Sequence, residues 1–252
     1  MLPATSPRPL VFVLGGSGAL GSAIAEEQLA RGNRIVVLDR LAPRLENVDF
    51  FQIDIASQDD VDRCFEAIDR AGMVPDILIV ASGYLKGGSF EKLQVPDLLA
   101  HMEINTFGAF RVAQACVARM KGKGGRLLFL SSVHGHVGVS SRCAYAMSKA
   151  ALEAMARAIA VEFAAEKIRV NILAPGPVDT GMQGDEAARQ YWMGATPAGR
   201  VATAVEIARF AAVMTSDDAS FISGQTIHID GGVTNLRNIA PAAHPAPQTP
   251  SK

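Results

Sequence analysis

The sequence is poor in aromatic residues: 6% of its 252 positions, with a single tryptophan. So thin a supply argues against an all-β sandwich built around an aromatic core. It has only three cysteines, Cys64, Cys116 and Cys143. They are too few and too scattered for a disulfide framework or a metal cluster. The expected compartment is therefore reducing, the cytoplasm. The sequence lacks any run of about 18 apolar residues, so neither a transmembrane helix nor a membrane partner is expected. It lacks an excess of either charge, with 24 Lys and Arg against 25 Asp and Glu. That balance argues against nucleic-acid binding, which a basic stripe would mark. Charged residues make up 19% and hydrophobic residues 49%, which excludes disorder of the whole chain.

What is present is alternation. Leu10–Leu14 is a short apolar run ending in glycines, the pattern of a buried parallel strand. Arg8 before it and Ala23-Ile24-Ala25 after it imitate a signal peptide, but Gly15, Gly16 and Gly18 interrupt the apolar stretch. Helical spacing follows from about Ser17 to Arg31, stopped by Gly32. Strands are expected at Arg34–Leu38, Phe50–Ile53, Asp76–Ala81, Arg126–Leu130, Ile168–Leu173 and Thr226–Ile229. Helices are expected at Asp59–Ala71, Pro96–Lys121 (bent near Thr106–Gly108), Cys143–Glu166 and Ala204–Thr215. The fold class is thus α/β, a single doubly wound Rossmann-type domain. About seven parallel strands would carry helices on both faces. The domain is expected over residues 10–239, after a loose segment 1–9. Four prolines between 240 and 252 predict an extended or disordered tail.

The first strand runs into Gly15-Gly16-Ser17-Gly18-Ala19-Leu20-Gly21. Glycine permits a sharp strand-to-helix turn, and a backbone without Cβ admits a pyrophosphate. The helix N-terminus then offers free N–H groups to the anion. Asp39, ending the second strand, is placed to accept from the adenosine ribose hydroxyls, which favours NAD over NADP. Its neighbour Arg40 points the other way, since an arginine there can pair with a 2′-phosphate.

Tyr145 and Lys149 stand four apart at the start of a helix, one turn apart on one face. A phenol of pKa about 10 is a poor base at neutral pH. A nearby ammonium lowers that value, making the pair a proton donor or acceptor for an alcohol–ketone couple.

These residues resemble the short-chain dehydrogenase/reductase family, over about Leu10 to Gly232. Tyr145-Ala-Met-Ser-Lys149 is similar to the family's Y-x-x-x-K. Ser132, 13 residues earlier, occupies the place of its substrate-orienting serine, with Ser131 as a competing candidate. Asn105 resembles the asparagine that holds a proton-relay water. Asp54-Ile55 resembles the adenine-side pair. Pro175-Gly176-Pro177-Val178-Asp179-Thr180 is similar to the segment closing over the nicotinamide. Ser223-Gly224-Gln225 and Asp230-Gly231-Gly232 match a C-terminal signature. The resemblance implies that Tyr145 exchanges the proton, that Lys149 holds the nicotinamide ribose, and that the protein is a homotetramer packed through the helices of Asn105 and Tyr145.

The sequence also departs from the family. Leu14 and Ala19 replace a threonine and a glycine of the usual loop, leaving a spacing similar to that of sugar-nucleotide-modifying members. Val80-Ala81-Ser82-Gly83 stands where the family has N-N-A-G. The substrate loop is expected between Thr180 and Pro197. Met182, Tyr191, Trp192 and Met193 there suit a pocket, a core or a subunit contact. Asp185, Glu186 and Arg189 form no basic cluster, so a small uncharged alcohol or ketone is expected. His134 and His136 are expected at the pocket mouth without a catalytic role. H-x-H with no further ligands gives no metal site. Three functions stay open: an NAD-dependent alcohol dehydrogenase or carbonyl reductase, with an NADP-dependent 3-oxoacyl reductase as its variant; a non-catalytic dinucleotide sensor; and an epimerase-like enzyme.

Overall fold

In β1 (Leu10–Leu14) every side chain is buried. Alternate residues serve opposite faces: Phe12 and Leu14 join one core, Val11 and Val13 the other. A strand buried on both faces needs no polar positions, which explains the continuous apolar run. The computed structural model describes residues 8–180 and 186–235, residues 186–189 by their backbone alone.

One parallel sheet has seven strands: β1, β2 (Arg34–Asp39), β3 (Asp49–Gln52), β4 (Ile77–Val80), β5 (Gly125–Leu130), β6 (Ile168–Pro175) and β9 (Thr226–Ile229). Their order across the sheet is β3-β2-β1-β4-β5-β6-β9. One face is covered by α2 (Gln58–Arg70), α4 (Ala109–Met120) and α5 (Cys143–Glu162), which bury Phe65, Cys116 and Ala156. The other face is covered by α1 (Ala19–Ala30) and α7 (Ala204–Met214), which bury Ile24 and Ala208. The protein is a single α/β domain. Among the described residues, no helix is long and apolar enough to cross a membrane.

The helix expected over 96–121 is interrupted where a bend was expected, dividing into α3 (Val95–Met102), a π-helical turn at Glu103–Gly108, and α4. Two contacts draw that turn out of the regular helix: Asn105 Nδ2 donates to Ser148 Oγ at 2.9 Å, and Thr106 Oγ1 to Ser148 O at 2.9 Å. The expected loop between Thr180 and Pro197 contains a helix, α6 (Glu186–Ala195). A second small sheet pairs β7 (Val178–Asp179) with β8 (Ala202–Thr203). The tail and Met182 and Asp185 lie outside the described residues.

The chain leaves β1 toward β2 on one side and returns at β4 on the other. At this reversal the loops diverge and open a crevice beyond the carboxyl ends of the strands, where doubly wound sheets bind their ligands.

Candidate active site

A groove of about 560 Å³ occupies that crevice. Its floor is the glycine turn. Gly15 takes φ +80°, and a Cβ there would come within 2.6 Å of Ser82 N; one at Gly21 would stand 2.0 Å from Gly15 O. Only glycine fits both places. Gly18 caps α1 without a side-chain bond, and the first turn carries no acid. The helix thus presents uncapped N–H groups and the positive end of its dipole to the groove. Gly15, Ser17, Gly18, Leu20 and Gly21 all line it.

Asp39 closes the adenosine end. Its carboxylate accepts from Ser17 N–H at 3.0 Å and Leu41 N–H at 3.3 Å, which fixes it against the glycine turn. Arg40 is exposed beside it. Both face an adjoining cleft of about 900 Å³ shared with Asp54. Ile55, Ala81, Ser82 and Gly83 continue the wall of the groove. Pro175, Gly176, Val178 and Thr180 line the far side, where the β7–β8 pairing holds them. The cradle and the uncapped helix fit a nicotinamide dinucleotide.

The reactive groups converge at the other end. Ser132, Tyr145 and Lys149 line the groove together. The Lys149 ammonium is buried and donates to Leu130 O at 2.8 Å. Its Nζ stands 5.8 Å from the Tyr145 ring centroid. Burial pushes the Lys149 ammonium down to about 8, partly offset by the charge of Glu153. Burial pushes the Tyr145 phenol up to about 12, against the opposing pull of the Ser132 hydroxyl and the Arg142 charge. The Tyr145–Lys149 spacing alone predicts a lowered phenol. In the protein alone, the loss of water outweighs the neighbouring charges, and the phenol keeps its proton.

The two serines separate. Ser131 Oγ donates to the buried Glu153 Oε1 at 2.7 Å, whereas Ser132 Oγ lies 2.9 Å from His134 Nδ1. Asn105 does not line the groove. Its Oδ1 accepts from Tyr84 N–H at 2.7 Å, and its Nδ2 donates to Tyr84 O at 2.9 Å and to Ser148 Oγ. It braces the loop after β4 against α5. A Cβ on Gly83 would lie 3.9 Å from both Asn105 Oδ1 and Lys149 Nζ, so both side chains approach the same glycine.

Four groups are additional to those singled out from the sequence: Tyr84, Leu85, Arg142 and Glu153. Glu153 had a readable signal, four residues after Lys149 on one helix face. Arg142 likewise stands three before Tyr145. Tyr84 and Leu85 had none, because the loop after β4 has no periodicity. His134 stands edge-on to Tyr145 with ring centroids 5.6 Å apart and to Trp192 at 6.0 Å. Trp192 lines the groove, while Tyr191 is exposed and His136 lies tilted against His228. Among the described residues, no group of three or more His, Cys, Asp or Glu could hold a metal ion.

Residues 17–234 match the enoyl-(acyl carrier protein) reductase family. The chain is 34% identical over 226 residues to the 3-oxoacyl-[acyl-carrier-protein] reductase MabA of Mycobacterium tuberculosis, covering 88% of this chain and 92% of that one. It resembles a gluconate 5-dehydrogenase from Burkholderia cenocepacia, solved with NADP and tartrate, with TM-score 0.86 and 25% identity over 92% of this chain and 97% of that one. A short chain dehydrogenase from Leptospira borgpetersenii with bound NAD+ gives TM-score 0.84 and 27% identity, over 90% and 93% of the two chains. Fold, site and relatives agree: the chain belongs to the short-chain dehydrogenase/reductase family of oxidoreductases.

Proposed function

We propose that this protein interconverts a secondary alcohol and a ketone with NAD(H), using Tyr145 as the acid and base. The observation that carries the reading is the convergence of Ser132, Tyr145 and Lys149 at one end of a dinucleotide-shaped groove. When bound, the nicotinamide supplies or accepts the hydride. Tyr145, protonated in the protein alone, hands its proton to a ketone oxygen. Ser132, held by His134, fixes that oxygen within reach of the phenol. The Lys149 ammonium supports the phenolate left behind and holds the ribose hydroxyls. In the oxidative direction Tyr145 takes the proton back.

NAD is favoured by Asp39, whose fixed carboxylate would repel a 2′-phosphate. A second reading, an NADP-dependent 3-oxoacyl reductase, draws support from the likeness to MabA, from the NADP-bound gluconate 5-dehydrogenase, and from the exposed Arg40. A test is to supply deuterated NADH and NADPH in parallel with a panel of ketones and 3-oxoacyl thioesters. Deuterium at the carbinol carbon supports the reading, and the preferred pair of reagents selects between its two forms. No transfer from either cofactor to any carbonyl overturns it.

We also propose a homotetramer. Phe107, Phe110 and Met147 are exposed on the π-helical turn, α4 and α5, the helices expected to meet partner subunits. A monomer in solution would contradict this.

A further inference from the structure

The substrate end of the groove holds an arginine with nothing to pair with. Arg142 lines the groove beside Tyr84, His134 and Tyr145, and it is half-buried. Most half-buried arginines of the fold are committed. Arg111 pairs with Glu103, Arg119 with Asp69, and Arg126 with Asp217, while Arg169 donates to the carbonyls of Ser216 and Ile222. Arg142 alone among the described half-buried arginines makes no ion pair and no side-chain hydrogen bond. Taking a guanidinium partly out of water without a partner is costly, so such a group points to a ligand.

Its placement is built. Ser141, just before it, takes the left-handed φ of +62°, unusual for a residue with a Cβ. The carbonyl of Ser141 accepts from Gly88 N–H at 3.1 Å, tying this turn to the loop after β4. The guanidinium then lies across Gly87, where a Cβ would stand 2.2 Å from Nη1. Three residues later, in the first turn of α5, comes Tyr145. Nearby, His134 Nε2 is buried without a hydrogen-bond partner. The carboxylates that line the groove, Asp39 and Asp54, both lie at the adenosine end. The substrate end therefore carries two cations, Arg142 and Lys149, and no described lining acid.

We infer that Arg142 is an anion-recognition residue, and that the substrate is a short hydroxy or oxo compound bearing a carboxylate or a phosphate near the reacting carbon. The planar guanidinium suits either group, since both accept two parallel N–H bonds. This inference rests on the alcohol–ketone reading above. It departs from the uncharged substrate expected from residues 180–197, because the cation comes from a different segment.

The test reads binding, so it stands apart from turnover. Trp192, the single tryptophan of the sequence, lines the groove and reports occupancy by fluorescence. With NAD+ present, the protein is titrated with acetoacetate, its methyl ester and a phosphorylated short ketone. The expected result is that at least one anion binds about ten- to a hundredfold more tightly than the ester, the scale of a charged hydrogen-bond pair. The preferred anion identifies its source. In Arg142→Gln that ratio collapses toward one, and Arg142→Lys keeps part of it. Equal binding of anions and ester to the native protein, no binding of any of them, or an unchanged ratio in Arg142→Gln overturns the inference. Anion binding without ketone reduction would leave the subsite standing and remove the reaction instead.

Discussion

Nδ1 of His134 lies 2.9 Å from the hydroxyl of Ser132, and the same imidazole ring stands edge-on to Tyr145. One side chain therefore contacts both the hydroxyl proposed to orient the substrate and the phenol. Burial holds His134 neutral, down to about 4, with the Arg142 charge adding to the effect. His134 is a positioning residue for Ser132. His134→Phe keeps the ring contacts and removes the hydrogen bond, so kcat should fall about tenfold while cofactor Kd is unchanged. Steady-state kinetics and cofactor titration separate the two. An unaltered kcat would remove His134 from this role.

The same histidine shapes acid stability. Its folded value near 4 lies below the usual 6.5 of an unfolded chain. Between those values the unfolded chain takes a proton that the folded chain refuses, so stability falls as pH drops through the window. After allowance for partial exposure, the loss is on the order of 1–2 kcal/mol. Denaturant midpoints measured from pH 7 to pH 4 should decline less in His134→Phe than in the native protein.

Lys149 titrates within reach of ordinary assays. Its ammonium, lowered to about 8, loses its charge as pH rises through that value. Cofactor affinity should weaken above about pH 8 in the native protein. Lys149→Met should bind cofactor about tenfold more weakly at neutral pH and show no such break. A break retained in the variant would assign it to another group.

At the adenosine end, Asp39→Ser should lift the repulsion of a 2′-phosphate and shift the NADP-to-NAD affinity ratio upward by about tenfold or more. Arg40→Ala should move the ratio the other way. Parallel titrations with the two cofactors check both. An Asp39→Ser ratio equal to the native one would show that this carboxylate does not read the ribose.

Gly21→Ala should destabilise the fold by about 1–3 kcal/mol and abolish cofactor binding, because the new Cβ would stand 2.0 Å from Gly15 O. Thermal melts with and without cofactor measure both effects.

Much of this architecture could be read from residue patterns. Runs such as Leu10–Leu14 and Ile77–Val80 are apolar throughout because both faces of the sheet are covered. The glycine turn, Tyr145 and Lys149 are local patterns on single elements, and local spacing is what a sequence displays. A break near Thr106–Gly108 was legible, but its π-helical form was not, because its cause lies in hydrogen bonds to Ser148, about forty residues away. Ser131 and Ser132 differ only in the way each side chain points at a strand end, which is settled by Glu153 and His134. The lowered phenol expected from Tyr145 and Lys149 failed because spacing carries no information about burial. Spacing is equally silent on Arg142, whose lack of a partner is a property of the folded groove.

The central claim is that Tyr145 moves the proton. Its most direct test is single-turnover reduction of a ketone by the native protein and by Tyr145→Phe, with NADH binding measured on both. The account predicts that Tyr145→Phe binds NADH within a few-fold of the native Kd and reduces the ketone about a hundred- to ten-thousandfold more slowly, the range expected for a general acid. Reduction at near-native rate in Tyr145→Phe would contradict it.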